Sequence, residues 1–386
     1  MIAQLALTLA VISNALFFIQ QRVSAISRPT GIAESELFTL YVRGKKPNFD
    51  LVKSIQQDMA LIRNLPGVIN AAPIDRVPLS KSGGGNYITS LPQSDVEINN
   101  TAAQVNYFYA GTTVVESLGM RLIDGRDFAA DDYQIRDRYD AGVPSMAIIT
   151  HKAAQELFPN QPLAGKTVYF AGVHPVEVIG VIERCLGSWV NWPHAGNVLF
   201  FPGIRIENDA EYIIRTELAH KQRIMSEIKR KLLAIDNQRV ILFIRPMEFY
   251  KNRAYARDYA MIKILLIVAI ALILVGAAGI IGLTTLMVNQ RRKQIGILRA
   301  LGANRLLISR DILAENTFIC IVAIAFGSFL ARVMSDVLAQ RFSTGLLPWY
   351  YMVMGAVVLL LVTLIAAWWP ARRAAHISPA AATRSA

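Results

Sequence analysis

Four stretches of this chain are long and apolar enough to cross a lipid bilayer, which takes about 20 residues of α-helix. The first and the last carry no charged residue, and the second carries only Lys263. Between the first and the second lies a polar segment of domain size, residues 20–260. Hydrophobic residues make up 53% of the chain and charged residues only 18%, against about a quarter in soluble domains. This composition excludes a disordered chain and argues against a wholly soluble enzyme.

The order of these blocks predicts a four-span α-helical membrane protein with a large mixed α/β extracytoplasmic domain between the first and second spans. The last span has aromatic residues at both ends, which suits the two headgroup regions of a bilayer. A cleaved signal peptide is the alternative for the first span, but the basic start is missing and the apolar run exceeds the usual length of roughly 7–15 residues. We predict transmembrane helices at 1–19, 261–288, 312–333 and 350–370, an outer domain at 20–260, a cytoplasmic coupling segment at 289–311, a short outer loop at 334–349 and a cytoplasmic tail at 371–386.

Positive charge predicts the side of the membrane on which each segment lies. Outside residues 20–260 the chain holds 12 Lys and Arg but only 3 Asp and Glu. Short loops rich in Lys and Arg stay in the cytoplasm, so both termini are predicted there and the large domain outside. Contact with anionic membrane lipids then accounts for the net charge of +12 without a nucleic-acid partner. The basic flank of the coupling segment consists of Arg291, Arg292, Lys293, Arg305 and Arg310.

The outer domain alternates strand and helix patterns, which indicates a mixed α/β fold. Runs rich in β-branched and aromatic residues predict strands, and apolar residues spaced three or four apart predict helices. Segments 80–100 and 184–197 are rich in Gly, Ser, Asn and Pro and are predicted to be loops. The predicted strands are 37–42, 145–150, two within 167–182, 198–201, 211–215 and 240–245, and the predicted helices are 49–65, 151–158 and 221–235.

No group of residues has the spacing of a catalytic or metal centre. Residues 160–167 resemble a phosphate-binding loop, but the first glycine is absent and the segment leads into a strand rather than a helix. The acidic cluster at 124–132 departs from the spacing of a calcium loop, and the five histidines are dispersed. Cys185 and Cys320 fall in different segments and predict no disulfide. We therefore expect no catalytic residue, no metal and no cofactor in this chain.

Two features of the spans predict contacts inside the membrane. Ala278 and Gly282 lie four residues apart on one face of the second span, where small side chains let another helix approach. That helix belongs either to the same chain or to a second copy. Glu315 and Asn316 lie just inside the third span, where ionisable groups are candidates for function. Glu315 is near the helix end, and we expect it to extend to the interface or to pair with an arginine, Arg305 or Arg310.

The most informative stretch is residues 289–315, NQRRKQIGILRALGANRLLISRDILAE. The second span would be about 42 Å long as a helix, beyond a bilayer core of about 30 Å, so we expect it to project or tilt. Ile295, Leu298 and Leu301 form an apolar stripe, after which a glycine breaks the helix and Asn304 caps the next one. A short amphipathic helix of this kind lies on lipid or docks into a partner's groove, and the pattern does not decide between them.

These residues resemble a known family. QIGILRALGANRLLI, residues 294–308, followed by 313–316, is similar to the signature of the FtsX-like permease domain of MacB-type ABC transporter permeases. The tail WWPARRAAHISPAAA, residues 368–382, resembles the ending of the same family. In the outer domain, residues 118–128 and 157–181 are similar to the family's extracytoplasmic domain. The likeness covers nearly the whole chain.

The resemblance implies a machine in a bacterial inner membrane with two permeases, either two copies or a pair of homologous chains, and two cytoplasmic ATPase subunits that bind the ATP. Closing of the ATPases would move the short cytoplasmic helix, and the first two spans would carry that motion outside. The substrate would be a peptide, a lipoprotein or an antibiotic-like molecule, and a periplasmic adaptor is a further implied partner. The ATPase contact carried over by position comprises Gln294, Ile295, Leu298, Arg299, Leu301, Gly302 and Ala303.

The chain departs from the family pattern in two places. Family members usually have a basic amphipathic stretch before the first span, whereas this sequence starts inside it, which indicates a misassigned start or a weaker surface anchor. The family often has Glu where this chain has Gln294, which puts a salt bridge to the ATPase at this position in doubt. Two other functions stay open: a non-transporting regulator that transmits the same motion to an envelope enzyme, and a membrane-anchored enzyme. The size of the outer domain is nearer that of the exporters, and the absent catalytic groups disfavour the enzyme.

Overall fold

The structure is a computed structural model that describes residues 1–46, 49–92, 102–137, 142–161, 164–206, 208–342 and 345–376. The end of the tail signature, 377–382, part of the predicted loop at 80–100 and part of the segment 160–167 lie outside these residues. The chain divides into two compact units, Met1–Arg28 with Arg257–Ala386, and Pro29–Ala256. The first unit is helical and the second is mixed α/β.

The helices are α1 (Ile2–Ile26), α2 (Leu51–Arg63), α3 (Val114–Leu118), α4 (His151–Leu157), α5 (Lys221–Ile235), α6 (Met247–Ala254), α7 (Ala256–Gln290), α8 (Arg292–Ala300), α9 (Arg305–Phe342) and α10 (Trp349–Ala375). The strands are β1 (Leu37–Gly44), β2 (Val68–Ile74), β3 (Gly84–Thr89), β4 (Ala102–Ala110), β5 (Leu122–Gly125), β6 (Ile135–Asp137), β7 (Met146–Thr150), β8 (Thr167–Phe170), β9 (His174–Ile182), β10 (Val198–Pro202), β11 (Ile204–Ile206), β12 (Asp209–Thr216) and β13 (Arg239–Pro246).

Four helices in the described part of the chain, α1, α7, α9 and α10, are long and apolar enough to cross a membrane. Each contains an 18-residue window with a mean hydropathy of at least 2.1. All four run beyond the predicted apolar stretches, because helix-forming polar residues continue the same helix past the apolar core. Most of the predicted outer loop at 334–349 is therefore helical, since α9 ends only at Phe342. The predicted tail likewise begins as helix, because α10 continues to Ala375.

Helix α1 is the most deeply packed of the four. In its most apolar window 61% of the residues are buried, against 11% in α7. Leu5 and Leu9 share a core with α9 and with Leu359 of α10. Gly327 lets α9 approach closely, because a Cβ there would lie 2.9 Å from the carbonyl oxygen of Ala6. Since α1 supplies this core, the packing favours a retained helix over a cleaved signal peptide.

The second unit contains an antiparallel sheet of two interleaved β-α-β units, β1-α2-β2 and β12-α5-β13. The strand order is β2-β12-β1-β13, and α2 and α5 cover one face. Beneath the helices, Arg239 and Asp58 form a fully buried ion pair. The hydroxyl of Tyr212 donates to Asp58 at 2.8 Å, and Arg239 also donates to the hydroxyl of Ser54 at 2.6 Å. Arg239 donates as well to the carbonyl oxygen of Leu232 of α5 at 2.8 Å, so these bonds tie both helices to the sheet.

Six of the other strands form a closed barrel, while β5 pairs with β9 at its side and β6 and β11 form a separate two-stranded sheet. The pairing runs β4-β3-β8-β9-β7-β10, and β10 pairs with β4 to close the ring. Alternate residues such as Val105, Phe170 and Leu199 point into its core together with residues of α4. Ile74 of β2 pairs with Ala110 of β4, which joins the barrel to the sheet.

Every strand and helix predicted for the outer domain is present, with boundaries that shift by a few residues. Segment 184–197 contains no helix or strand, as predicted. The prediction of a loop at 80–100 is wrong for Gly84–Thr89, which forms β3. A glycine is needed there because a Cβ at Gly84 would lie 2.1 Å from Cζ of Tyr107 on the neighbouring strand. The glycines therefore reflect close packing rather than a turn.

Candidate functional site

The turn between α7 and α8 is fastened to α9 by polar side chains. Arg291, in the turn, forms a bidentate ion pair with Glu315, with Nη1–Oε2 at 2.9 Å and Nη2–Oε1 at 3.2 Å. Two turns earlier in α7, the hydroxyl of Thr284 donates to the Oδ1 of Asn316 at 3.0 Å. The sequence predicts Arg305 or Arg310 as the arginine that pairs with Glu315. The partner is instead Arg291, which lies 24 residues earlier in the chain. The reversal of the chain between α7 and α9 brings the two together.

The inner face of α8 packs on its own helical unit. Ile295 is buried against Val288 of α7, Ile308 of α9 and Ala374 of α10. The Nη1 of Arg299 donates to the carbonyl oxygen of the last residue of α10 at 3.0 Å. This contact is favourable because the last carbonyls of a helix lack partners and carry partial negative charge. Helix α8 is therefore attached to α7, α9 and α10 at once.

The outer face of α8 is apolar and open. Leu298 is 53% exposed and Leu301 is 80% exposed. The structure therefore divides the predicted stripe, because Ile295 points inward and these two leucines point outward. Gly302, with φ +97°, ends the helix, and the side chain of Asn304 accepts from a backbone N–H of α9 at 3.3 Å, as predicted for a cap. Gln294, Gly302 and the basic flank of Arg291, Arg292, Lys293, Arg305 and Arg310 are exposed, and Ala303 is half-buried.

The small residues predicted to pack helices divide between two faces of α7. Ala278 and Gly282 are exposed, and a Cβ at Gly282 would meet nothing within 4 Å among the described residues. Gly279 instead faces α1, where a Cβ would lie 3.0 Å from the Oε1 of Gln4. The predicted pair thus makes no close contact within the described part of the chain. The close contacts of α1 fall instead at Gly279 of α7 and Gly327 of α9, which the predicted pair does not include.

The other motifs have structural roles. Gly165, with φ +82°, stands in a turn that leads into β8, as expected for a segment that is not a phosphate-binding loop. Asp132 forms an ion pair with Arg126, which holds the pKa of that carboxyl below its usual value. Burial raises the pKa of Asp127, which accepts a backbone N–H of α3 at 3.0 Å. Among the residues that the structure describes, no three His, Cys, Asp or Glu side chains are placed to hold a metal ion.

Comparison with known proteins identifies the family. The model of the MacB-like periplasmic core domain matches residues 2–228, more than half of the chain, and that of the FtsX-like permease C-terminal domain matches residues 266–379. The chain therefore belongs to the FtsX-like permeases that carry a MacB-like periplasmic core domain. It is a membrane permease with a periplasmic domain, as the resemblance of its sequence to this family implies.

Its relatives include two proteins named macrolide export ATP-binding/permease protein MacB. The one from Salmonella choleraesuis is 25% identical over 332 residues, which cover 83% of this chain and 47% of the relative. The one from Chromobacterium violaceum is 22% identical over 281 residues, covering 70% of this chain and 42% of the relative. The chain thus spans less than half the length of these relatives. The crystal structure of the periplasmic region of MacB from Actinobacillus actinomycetemcomitans aligns over 60% of this chain and 97% of its own, at 14% identity and a TM-score of 0.34.

Proposed function

We propose that this chain is the permease subunit of a MacB-type ABC exporter in a bacterial inner membrane, driven by a separate ATPase subunit that docks on α8. The ATP is bound by that partner, and this chain needs no cofactor of its own. The names of the relatives favour export of an antibiotic-like molecule, with peptides and lipoproteins as further envelope substrates. The observation that carries the proposal is the exposed apolar face of α8, formed by Leu298 and Leu301.

The attachment of α8 supports a role in transmitting motion. A partner that pushes on its outer face also pushes on α7, through the turn at Arg291, and on α10, through Arg299. Helix α7 has 35 residues and is about 52 Å long, so it crosses the bilayer core with length to spare. It begins at Ala256, directly after the last helix of the periplasmic domain. A displacement at α8 therefore reaches that domain along one continuous helix.

Charge and small residues support the remaining parts of the proposal. The exposed arginines around α8 support a position at the cytoplasmic surface beside anionic lipids, with both termini on that side. The exposed pair Ala278 and Gly282 offers a face on which a second copy, or a homologous permease, approaches α7 closely. A periplasmic adaptor is the partner expected outside.

Site-specific photocross-linking in cells tests the docking proposal. A photoreactive amino acid at Leu301 is expected to capture an ABC ATPase, which mass spectrometry identifies. The matched control is Leu218, an exposed leucine of the periplasmic domain, 65% accessible. The proposal is rejected if position 301 captures only lipid, or if both positions give the same products.

A further inference from the structure

The periplasmic domain contains a cavity of about 470 Å³ that no sequence motif indicates. It lies on the face of the β2-β12-β1-β13 sheet opposite α2 and α5, and residues of β3, β4 and α6 also line it. Its lining includes three carboxylic acids, three arginines and five aromatic rings. The volume falls in the range of small-molecule sites, roughly 300–1,000 Å³.

One wall of the cavity is a row of stacked side chains on this sheet face. Tyr41 of β1 is the register partner of Phe243 of β13, and their rings stack with centroids 5.0 Å apart. The guanidinium carbon of Arg245 lies 4.0 Å from the ring centroid of Phe243 and 4.6 Å from that of Phe249. We call Tyr41, Phe243 and Arg245, which line the cavity, the stacked row; Phe249 of α6 contacts the same guanidinium but does not line the cavity. Stacking fixes the plane of the guanidinium, and with it the direction of its N–H groups.

The guanidinium of Arg245 is oriented but has no acceptor. Although the residue is half-buried, it forms no hydrogen bond and no ion pair with any residue in the part of the chain that the structure describes. A second lining arginine, Arg205, stacks 4.5 Å from the ring centroid of Tyr109. Its Nη2 donates to the carbonyl oxygen of Gly142 at 3.1 Å, while its Nε is buried and lacks an acceptor among the described residues. The Nε of Arg205 is thus a buried donor without an acceptor, and the donors of Arg245 are accessible in the cavity, so both guanidiniums have donors that a ligand can use.

The acids of the cavity do not cancel this positive charge at neutral pH. Burial raises the pKa of Asp75 and that of Glu211 to about 7, against the opposing effect of the nearby arginines. Glu211 accepts from the hydroxyl of Tyr250 at 3.0 Å, and Asp75 accepts from the backbone N–H of Tyr109 at 2.9 Å. Near pH 7 both acids are partly neutral, whereas arginine stays charged. The third acid, Asp209, forms an ion pair with Arg43. Three lining arginines against Asp209 and two partly neutral acids leave the lining net positive.

We propose that this cavity binds a small organic anion, whose carboxylate or phosphate is received by Arg245 and Arg205 and whose apolar body lies against the stacked row. A carboxylate or a phosphate matches the fork of a guanidinium with two hydrogen bonds. The positive lining would repel a cationic ligand, and an uncharged apolar ligand would leave the arginine donors without acceptors. The inference does not depend on the export function proposed above, because binding is measured without an ATPase.

The test uses the full chain in phosphatidylcholine nanodiscs and three probes: N-acetyl-phenylalanine, its uncharged amide, and phenyl phosphate. Saturation-transfer NMR is expected to give a dissociation constant of about 1 mM for an anionic probe, as suits ligands this small. The amide is expected to bind at least about tenfold more weakly, because it cannot form the charge-assisted bonds. The ratio between the carboxylate and phosphate probes tells which anion the site prefers.

Variants locate the binding. Arg245→Gln is expected to lower the affinity for the anionic probe by about tenfold or more. The matched control, Arg253→Gln, is expected to leave that affinity unchanged, because Arg253 is an exposed arginine of α6 outside the cavity lining. If Arg245→Gln lowers the melting temperature, Arg205→Gln is the second variant. The proposal is overturned if the amide binds as tightly as the carboxylate, if neither anion binds, or if both arginine variants bind like the unmodified chain.

The pH dependence provides a further readout. Binding of N-acetyl-phenylalanine is expected to strengthen from pH 8 to pH 6, as Asp75 and Glu211 take up protons. Glu211 faces Thr39 and Arg245 of the sheet, Tyr250 of α6 and Asp75, and the groups facing Asp75 are Arg76, Arg205 and Tyr109. Apart from the two acids themselves, none of these neighbours changes its charge in that range. Glu211→Gln is expected to reduce the pH dependence, and affinity that is equal at both pH values contradicts the assigned charges.

Discussion

Replacing Leu298 and Leu301 of α8 by aspartate should weaken binding of the ATPase by at least about 30-fold. Leu298 is 53% exposed and Leu301 is 80% exposed, so together they expose about as much surface as 1.3 fully exposed leucines. Covering one leucine completely contributes about 1.5–3 kcal/mol, so full coverage by a partner contributes about 2–4 kcal/mol. Each 1.4 kcal/mol is a factor of ten in the dissociation constant, and this gives about 30-fold at the lower limit. The two introduced carboxylates add a desolvation cost and make the loss larger.

The assay is a titration of the detergent-purified permease with its ATPase, combined with measurement of stimulated ATP hydrolysis. Because both leucines point outward, the variant is expected to keep its melting temperature and its yield. Leu218→Asp makes the same chemical change on an exposed leucine of the periplasmic domain and should leave binding unchanged. Unaltered affinity and unaltered stimulation in the α8 variant would refute the docking assignment.

Three other changes test separate parts of the structure. Cysteines at Ala278 and Gly282 are expected to cross-link two copies in native membranes, and their absence from every cross-linked dimer would rule out a contact on this face of α7. Arg239→Met leaves Asp58 buried without its partner and should cost about 3–5 kcal/mol in urea unfolding of the periplasmic domain within the full chain, much of which an added Asp58→Leu should restore. Because burial raises the pKa of Glu211 from 4.5 to about 7, the folded state keeps a proton that the unfolded state loses, so this group should lower the free energy of unfolding by about 1.4 kcal/mol for each unit by which the pH rises across that window. Asp75, whose pKa is also raised to about 7, adds to this slope, and Glu211→Gln should remove only the part that comes from Glu211.

The fold was predictable where the apolar residues formed a continuous run or followed one regular spacing. The membrane helices are continuous apolar runs, and helices such as Lys221–Ile235 show regular apolar spacing on one face. Strands β2 and β4 were missed because their apolar residues neither alternate cleanly nor form a continuous run between turn residues. Strand β3 was misread because Gly84 is required by the neighbouring Tyr107, which only the strand pairing reveals. Local pattern does not report which distant strand lies alongside.

The coupling segment was predictable in its position and its breaks but not in its contacts. The sequence places the break at Gly302 and the cap at Asn304, because both depend on adjacent residues. The pairing of Arg291 with Glu315, and the contact of Arg299 with α10, depend on how three helices pack. The burial of Ile295 and the exposure of Leu298 and Leu301 also depend on this packing. The helical period gives the spacing of the three residues, but it does not say which of them the neighbouring helices bury. The cavity of the periplasmic domain gathers residues from strands far apart in sequence, so no motif predicts it.

The most direct test of the central claim is co-purification of the tagged chain from its own membranes in mild detergent, with quantitative mass spectrometry. The account predicts an ABC ATPase in near-equal amount, and a periplasmic adaptor beside it would support the exporter over the regulator. Retrieval of the permease without any ATPase, under conditions in which a known complex of this kind survives, would contradict the proposed mechanism.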